Sequence, residues 1–542
     1  MKNTGYIIGC LLLLFTVTSC QDFLDEENES YAVAEEFYLT AEGYQSLINA
    51  NYAQLRELYG NEPWLYALGT DLYAEGRDAE PTGLSQYTDL NPSSEGVAAL
   101  YDNAYKAIQI ANTAIFYADL TANTSVLTQQ IGEIRYLRAN AYFLLVQTYG
   151  GVPLVTDYFK EPVLSFDRDS AENIYNFIIA ELEGALSQVS TGAFQGKVKQ
   201  RAVNHLLAKV YLTRGYEDFG TQADFDTAAT YADAAIAGES LTIPFDELWA
   251  PGNPTYAINS ETLFSVQYDP KSVSTDPQAL GHQQTSYFGP YQGGSEVAGN
   301  APSRNYLLCP TQFAIDLFTE DDARYNATFM VEVYNRYFDF YDVEDTSTLP
   351  VAHYYAPAWE ATAADKAAYM AAHPEAVYHD YGSYVPSVNP STDYQTIPVR
   401  KFDDPSAPFG ESTSRRDIIL SRLGETYLIA AEAYLKAGDP GTGLIRLNEV
   451  RRRAGVAAAQ AGDFDIDYIL DERGRELLGE YHRWFDLKRT GKLVERASAY
   501  HFLIEEANFQ GANGELKILR PLPQTAIDLN QNRDFKQNPA YQ

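Results

Sequence analysis

Cysteine is scarce: the 542 residues hold three, Cys10, Cys20 and Cys309. The first two fall at the extreme N-terminus, so the body of the chain keeps one thiol and can form no intramolecular disulfide. Positive charge is scarce too. Lys and Arg number 39 against 74 Asp and Glu, a formal net charge of −35, which repels polyphosphates and disfavours nucleic acid and anionic lipid headgroups as partners. Neutral ligands fit that balance better. Beyond Val17 no stretch approaches the ~18 uninterrupted apolar residues of a membrane-spanning helix. Enzyme signatures are missing as well: no HExxH, no P-loop, no dinucleotide fingerprint after a strand and no GxSxG elbow. His353, His373 and His379 are scattered through a proline-rich stretch, and without HExxH or paired cysteines they read as surface residues, not a zinc site. Asp321-Asp322 and Asp403-Asp404 lack the spacing of a calcium loop and read as solvated loop charge. No catalytic residue, metal or cofactor is expected.

What is present starts at the N-terminus, MKNTGYIIGCLLLLFTVTSCQDFLDEE. Lys2 supplies a positive end, Tyr6 to Val17 form an apolar run too short to span a bilayer permanently, and Thr18-Ser19 place small residues before Cys20. This pattern is that of a lipoprotein signal peptide over residues 1–19. Cys20 would become the acylated N-terminus and hold the protein on a membrane surface. Residues 20–30, with Asp22, Asp25, Glu26, Glu27 and Glu29, would form an acidic tether.

The rest of the chain is helical in pattern. Three segments place an Ala three residues before a Tyr on a helix that closes at Gly: Ala139/Tyr142, Ala208/Tyr211 and Ala431/Tyr434. The small residue lets two helices approach, the ring fills the adjoining groove, and the glycine supplies a left-handed cap. Second helices follow the last two, over Phe225 to Ala237 and Gly443 to Arg453, so the pattern resembles the tetratricopeptide helix-turn-helix unit. Between Tyr101 and Tyr149, Ile134, Leu137, Ala141, Leu144 and Thr148 keep a helical stripe. Gly, Pro, Asp and Asn break this pattern at 61–94. Residues 240–414 break it again, with most of the prolines and only brief helical stretches such as Thr311 to Thr319 and Ala361 to Ala372. An interruption that long far exceeds ordinary connections of roughly 4–6 residues and marks a functional insertion. The expected organisation is a mostly α, tetratricopeptide-like helical repeat scaffold with a large loop-rich insertion: 31–239 and 415–542 are helical repeat parts, and 240–414 is the insertion, where ligand binding is expected. The 42 tyrosines outnumber the 26 phenylalanines, and tyrosine serves half-wet recognition surfaces as well as cores.

Several long strings carry a more specific resemblance. RGRELLGEYHRWFDLKRTGKL from Arg473, SRLGETYLIAAEAYLKAG from Ser421 with LNEVRRRAG after it, the ending LRPLPQTAIDLNQNRDFKQNPAYQ, IRYLRANAYFLLVQTYGGVPLV from Ile134, and CQDFLDEE resemble the SusD/RagB family across nearly the whole mature chain. The resemblance implies four tetratricopeptide-like units and a surface lipoprotein of the outer membrane. It further implies a lid on a SusC-like TonB-dependent transporter, passing captured oligo- or polysaccharide to the channel without chemistry. A helical adaptor for peptide or protein is the alternative. Glycan-binding relatives contact ligand through the loop after the first helical unit and through the central insertion. In this chain those regions offer Trp64, Asp71 and Arg77, and Tyr287, Tyr291, Trp359 and Tyr381: rings for the apolar faces of sugars and polar groups for their hydroxyls.

In the Arg473 string, Glu476, Glu480 and Arg483 read as ion pairs on an exposed helical face, worth a few tenths of a kcal/mol each. Trp484, Phe485 and Leu487 read as buried, and Trp249 also sits in a scaffold-like string. Glu476 and Glu480 could be imagined as a glycosidase pair, but adjacent arginines would depress both carboxyls where a general acid needs the opposite.

Overall fold

A computed structural model describes residues 34–542 apart from 61–62, 76–81, 252–257, 270–280, 289–307, 389–395 and 408–412. The leader, Cys20, the acidic tether, Arg77 and Tyr291 therefore lie outside the described residues. Eight helices carry the scaffold: α1 (Ala41–Tyr59), α2 (Val97–Ala118), α3 (Leu127–Tyr149), α4 (Ala171–Gln188), α5 (Gln200–Arg214), α6 (Gln222–Ile236), α7 (Leu423–Ala437) and α8 (Pro440–Ala454). Each packs on the next, α6 on α7 included, although residues 237–422 separate those two in sequence. The solenoid thus continues across the insertion as four helix pairs. Among the described residues no helix is long and apolar enough to cross a membrane.

Local chemistry sets the helix ends. The Thr40 and Ser170 hydroxyls accept from the backbone N–H three residues on, and Thr221 with Asp224 forms a capping box. Ala139, Ala208 and Ala431 are fully buried where helices meet. Gly438 takes the left-handed cap expected of it, φ 90. Gly215 does not: its φ is −60, and a Cβ there would lie 2.7 Å from the Phe225 ring. That glycine is required by close packing of α5 on α6, not by backbone handedness.

The insertion is tied down by short strands. β2 (Thr262–Val266) pairs antiparallel with β7 (Ile418–Arg422), closing its base just before α7 begins. β1 (Tyr73–Ala74) pairs with β3 (Cys309–Pro310), joining the first loop to the insertion. β4 (Glu332–Tyr334), β5 (Val351–Tyr355) and β6 (Val377–His379) form a small sheet, antiparallel then parallel. Brief helices Gln312–Asp316 and Ala363–Ala372 fall inside the two stretches whose sequence carries helical patterns. One apolar cluster runs from Leu55 to Phe535 and takes in Phe288, Phe329, Tyr337 and Phe402 of the insertion. Trp249 and Trp484 are buried in it, and Cys309 is buried too, which pushes its thiol up to about 12.

The charges of the Arg473 string are not on an exposed face. Helix α9 (Ile466–Glu476) is enclosed, and Glu472, Glu476 and Arg473 are buried with the groups that pair with them. Arg324 reaches Asp322, Glu472 and Glu476 at 2.8, 2.8 and 3.1 Å. Arg422 reaches Glu261, Glu476 and Glu480 at 3.0, 2.6 and 2.7 Å. Arg453 also holds Glu261 and Glu476, and Lys401 holds Glu480 at 2.6 Å. Gly424 is needed here, because a Cβ would sit 2.3 Å from Arg422 Nη1 and 2.6 Å from Glu476 Oε1. Burial opposes ionisation of Glu472, but Arg324, Arg475 and Arg451 outweigh it and hold the carboxyl down at about 2. Glu476 and Glu480 are lowered in the same way, burial being overcome by Arg453, Arg422 and Arg324 at the first and by Arg422 and Lys401 at the second.

Three further expectations need correction for the same reason. Asp322 is buried against Arg324. Asp403 accepts the hydroxyls of Tyr337 and Tyr341 at 2.7 and 2.6 Å, and Asp404 accepts those of Ser406 and Ser414 at 2.5 and 2.7 Å. His379 is buried on β6, its ring 4.5 Å from that of Tyr355 and its Nε2 3.1 Å from His353 Nδ1. Among the described residues no group of three or more His, Cys, Asp or Glu is placed to hold a metal ion.

Two outcomes follow from the buried charges. Glu472, lowered from its ordinary 4.5 to about 2, contributes stability that is complete above pH 4.5 and lost as pH falls toward 2. Calorimetry across that range should show Tm falling, with a shallower fall in Glu472→Gln relative to its own neutral-pH value. Glu476→Gln leaves buried guanidinium groups short of a counter-charge and should cost about 3–5 kcal/mol in urea unfolding.

Candidate functional site

Four segments distant in sequence surround a cavity of about 240 Å³. Ala74, Thr311 and Gln312 come from the β1–β3 junction, Val385, Pro386 and Ser387 from the insertion, and Ser498 to Phe502 with Ile504 from the C-terminal part. Thr311 fixes the first wall. Its hydroxyl donates to the Asp71 carbonyl at 2.6 Å and caps the short helix by accepting from Ala314 N–H at 3.2 Å.

The C-terminal wall is set by α11 (Leu493–Tyr500), which follows α10 (Arg483–Arg489), and by buried His501 just beyond it. Leu503 N–H donates to His501 Nδ1 at 3.2 Å, so Nε2 carries the proton and donates to Glu75 at 3.0 Å. Glu75 also accepts from Ser85 and Gln86, both at 2.8 Å. Burial would raise its carboxyl, but the hydrogen bonds from His501 and Gln86 outweigh that and hold it down at about 2.

Beside the cavity Tyr500 stacks on Phe313, centroids 3.9 Å apart and planes 18° from parallel, with Arg496 5.2 Å from the Phe313 centroid. Tyr500 is 43% exposed and Phe502 41%. Arg496 is itself held by Asp71 at 2.9 Å, by Asp467 at 3.0 Å and by Asp471. The cavity therefore offers hydroxyl and amide groups on its walls and flat rings at its rim. Such an arrangement suits a small polar molecule that has an apolar face.

The residues singled out from sequence divide sharply. Asp71 is fully buried, bound by Arg483 through paired contacts of 2.7 and 2.6 Å as well as by Arg496. Burial alone would raise its carboxyl, and these two arginines lower it. It orients Arg496 beneath the ring pair and presents nothing to a ligand. Trp64 and Tyr287 are core residues, 9% and 3% exposed, Trp64 lying among Leu58, Leu65 and Leu100. Neither can serve as an open platform. Trp359 and Tyr381 are half-buried and come together around Tyr325. Trp359 meets the Tyr325 ring edge-on at 4.8 Å, while the Tyr381 hydroxyl donates to Asp316, which also accepts from the cavity-lining Gln312 at 2.5 Å. Tyr381 thereby connects this aromatic group to the cavity.

Sequence reasoning misses Phe313, Tyr500, Phe502, Ser387 and Ser498. The available signal is the run SAYHFL, which keeps large apolar residues beyond the end of a helix, but it stands close after the Arg473 string and reads as more scaffold.

A family model described as the SusD family matches residues 260–541, and another described as "Starch-binding associating with outer membrane" matches residues 22–212. A SusD-like protein of Bacteroides ovatus is 25% identical over 515 residues, covering 90% of this chain and 82% of that protein. A laminarin-binding SusD-like protein of known structure aligns with a TM-score of 0.68 at 23% identity, over 92% of this chain and 99% of its own. Surface glycan-binding protein A from Bacteroides thetaiotaomicron, solved with laminarihexaose, aligns with a TM-score of 0.67 at 19% identity, over 90% and 97%. The two structures establish a shared fold.

The two kinds of residue at the site should separate in mutagenesis. Asp71→Asn removes the charge between two buried arginines and should cost about 3–5 kcal/mol in urea unfolding. Tyr500→Ala removes one partly exposed ring and should cost less than about 1.5 kcal/mol.

Proposed function

The chain belongs to the SusD family, and from that premise we propose that it is an outer-membrane surface lipoprotein that binds oligo- or polysaccharide without cleaving it. It passes that cargo to a SusC-like TonB-dependent transporter. The observation that carries the reading is the cavity of about 240 Å³ beside the partly exposed Phe313–Tyr500 stack. A sugar presents apolar C–H faces bordered by hydroxyls, so it needs a flat ring for the face and neutral hydrogen-bonding groups for the edge. Tyr500, Phe502, Ser387, Ser498 and Gln312 supply both kinds, and Trp359 and Tyr381 extend the aromatic surface. Ring contact contributes about 1 kcal/mol per sugar and each net hydrogen bond about as much, so each subsite binds weakly and lets its cargo go.

Support for the ligand class also comes from relatives whose names specify laminarin and laminarihexaose. The family description that mentions association with the outer membrane agrees with acylation at Cys20. The absence of chemistry rests on the state of the carboxylates: Glu476 and Glu480 are locked in ion pairs, and Glu75 is an acceptor held ionised. None can act as a general acid near neutral pH.

Affinity gels containing a panel of polysaccharides, run with the chain lacking residues 1–20, test this function. Retardation by at least one neutral glycan is expected. Tyr500→Ala and Trp359→Ala should each weaken it about fivefold, the loss of one ring contact, with thermal unfolding little changed. Indifference to every glycan, together with binding to peptides, would replace the reading with that of a peptide adaptor.

A further inference from the structure

The polar side chains that line the cavity have mostly given their hydrogens to the protein. The Thr311 hydroxyl donates to the Asp71 carbonyl, and the Ser498 hydroxyl donates to the Val494 carbonyl at 2.8 Å. His501 gives its one N–H to Glu75 and accepts from Leu503, so neither ring nitrogen is left over. Gln312 is used in the same sense. Its Nε2 donates to Asp316 Oδ1 at 2.5 Å, and the Tyr381 hydroxyl donates to that same oxygen. Burial and the hydrogen bond to Asp316 raise the Tyr381 phenol, so it stays a donor. A carboxylate only accepts, so Asp316 holds the Gln312 amide with its N–H toward itself and its C=O turned away. Gln312 Oε1 is buried there and accepts from no group among the described residues.

We propose that Gln312, oriented by Asp316, makes this cavity selective for glycans whose hydroxyls donate, so that it takes unmodified neutral sugars and refuses uronates and sulfate esters. This selectivity rests on the glycan reading proposed above and names the class of glycan for that same site. An acceptor buried without a donor is unfavourable, and a sugar hydroxyl that reaches Oε1 relieves it. A carboxylate or sulfate in the same place brings acceptors only. It meets Oε1 and the Asp316 carboxylate with no cation to compensate. Among the described residues no Lys or Arg lines the cavity, and Arg496 beneath the ring pair is held by Asp71, Asp467 and Asp471. The Ser387 and Tyr500 hydroxyls can still donate, but they are neutral, and they suit a sugar oxygen better than an anion. A site built to receive a hydroxyl rejects a group without that hydrogen far more strongly than it rejects a small change of size. Gln312 is the group that meets the sugar; Asp316 acts through it and is a positioning residue.

Affinity gels can compare one polysaccharide in two forms: the neutral polymer that retards the chain most, and the same polymer with part of its hydroxyls converted to sulfate esters. Both are run at about 1 M salt, where the screening length is about 3 Å and the overall negative charge of the chain no longer acts at a distance. The parent chain should bind the sulfated form at least about tenfold more weakly than the neutral one. Gln312→Met keeps the shape and loses the acceptor, and it should weaken binding of the neutral form about fivefold, the worth of one net hydrogen bond. Asp316→Asn frees the amide to turn and present its N–H. The ratio between the two forms should then fall to about threefold or less, with thermal unfolding as in the parent because Asp316 is exposed. A ratio set by the bulk of the sulfate would not respond to Asp316→Asn. Equal binding of both forms by the parent, a Gln312→Met chain that binds the neutral form as the parent does, or an unchanged ratio in Asp316→Asn overturns the proposal and leaves the glycan reading standing. A parent chain that no neutral polymer retards overturns the glycan reading itself, and this selectivity falls with it.

Discussion

Buried guanidinium groups organise this molecule. Arg422 at the start of α7, Arg453 at the end of α8, Arg324 in the insertion and the carboxylates of α9 meet in one water-excluded cluster. Removing a charge from water costs several kcal/mol, offset only where geometry is close and every remaining donor and acceptor is satisfied. Such a cluster is therefore a poor source of net stability and a strict source of position. Helices α7, α8 and α9, the β2–β7 base and the Asp322 turn have to arrive together, because any one of them absent leaves an uncompensated charge inside the protein. An apolar core tolerates sliding and repacking. This one does not.

The same constraint reaches the proposed ligand site. Arg483 of α10 and Arg496 of α11 share Asp71, which belongs to the first loop. Asp71 joins the C-terminal helices, through its carboxylate, to the strand that carries Ala74 and, through its backbone carbonyl and Thr311, to the helix that carries Phe313. The ring pair at the cavity rim is stacked because the charges beneath it are placed. A platform fixed in this way loses little freedom when a ligand arrives, so the contact energy of a weak binder goes to the ligand and not to ordering the protein.

Parts of this are legible in the sequence, and the reason is distance along the chain. Ala139, Ala208 and Ala431 announce the helix pairs because the spacing that matters is three or four residues. The interruption between 240 and 414 is legible from its prolines and glycines, whose effect on the backbone is local. Burial of charge is not legible in this way. Glu476 and Glu480 look like surface residues to a reader of their own helix, yet Arg324, Lys401 and Arg422 enclose them, and none of those three is near them in sequence. Asp71 looks like a loop acceptor, while the two arginines that bury it lie 412 and 425 positions away. Tyr500 and Phe502 stay hidden for the complementary reason, since the segment that leaves them exposed is recognisable only by what fails to cover it.

The chemistry of the cavity rim follows from the same logic of burial. Rings at the cavity rim sit among hydroxyls and amides and are held from beneath by Arg496, which suits a partner that is itself half polar and comes and goes.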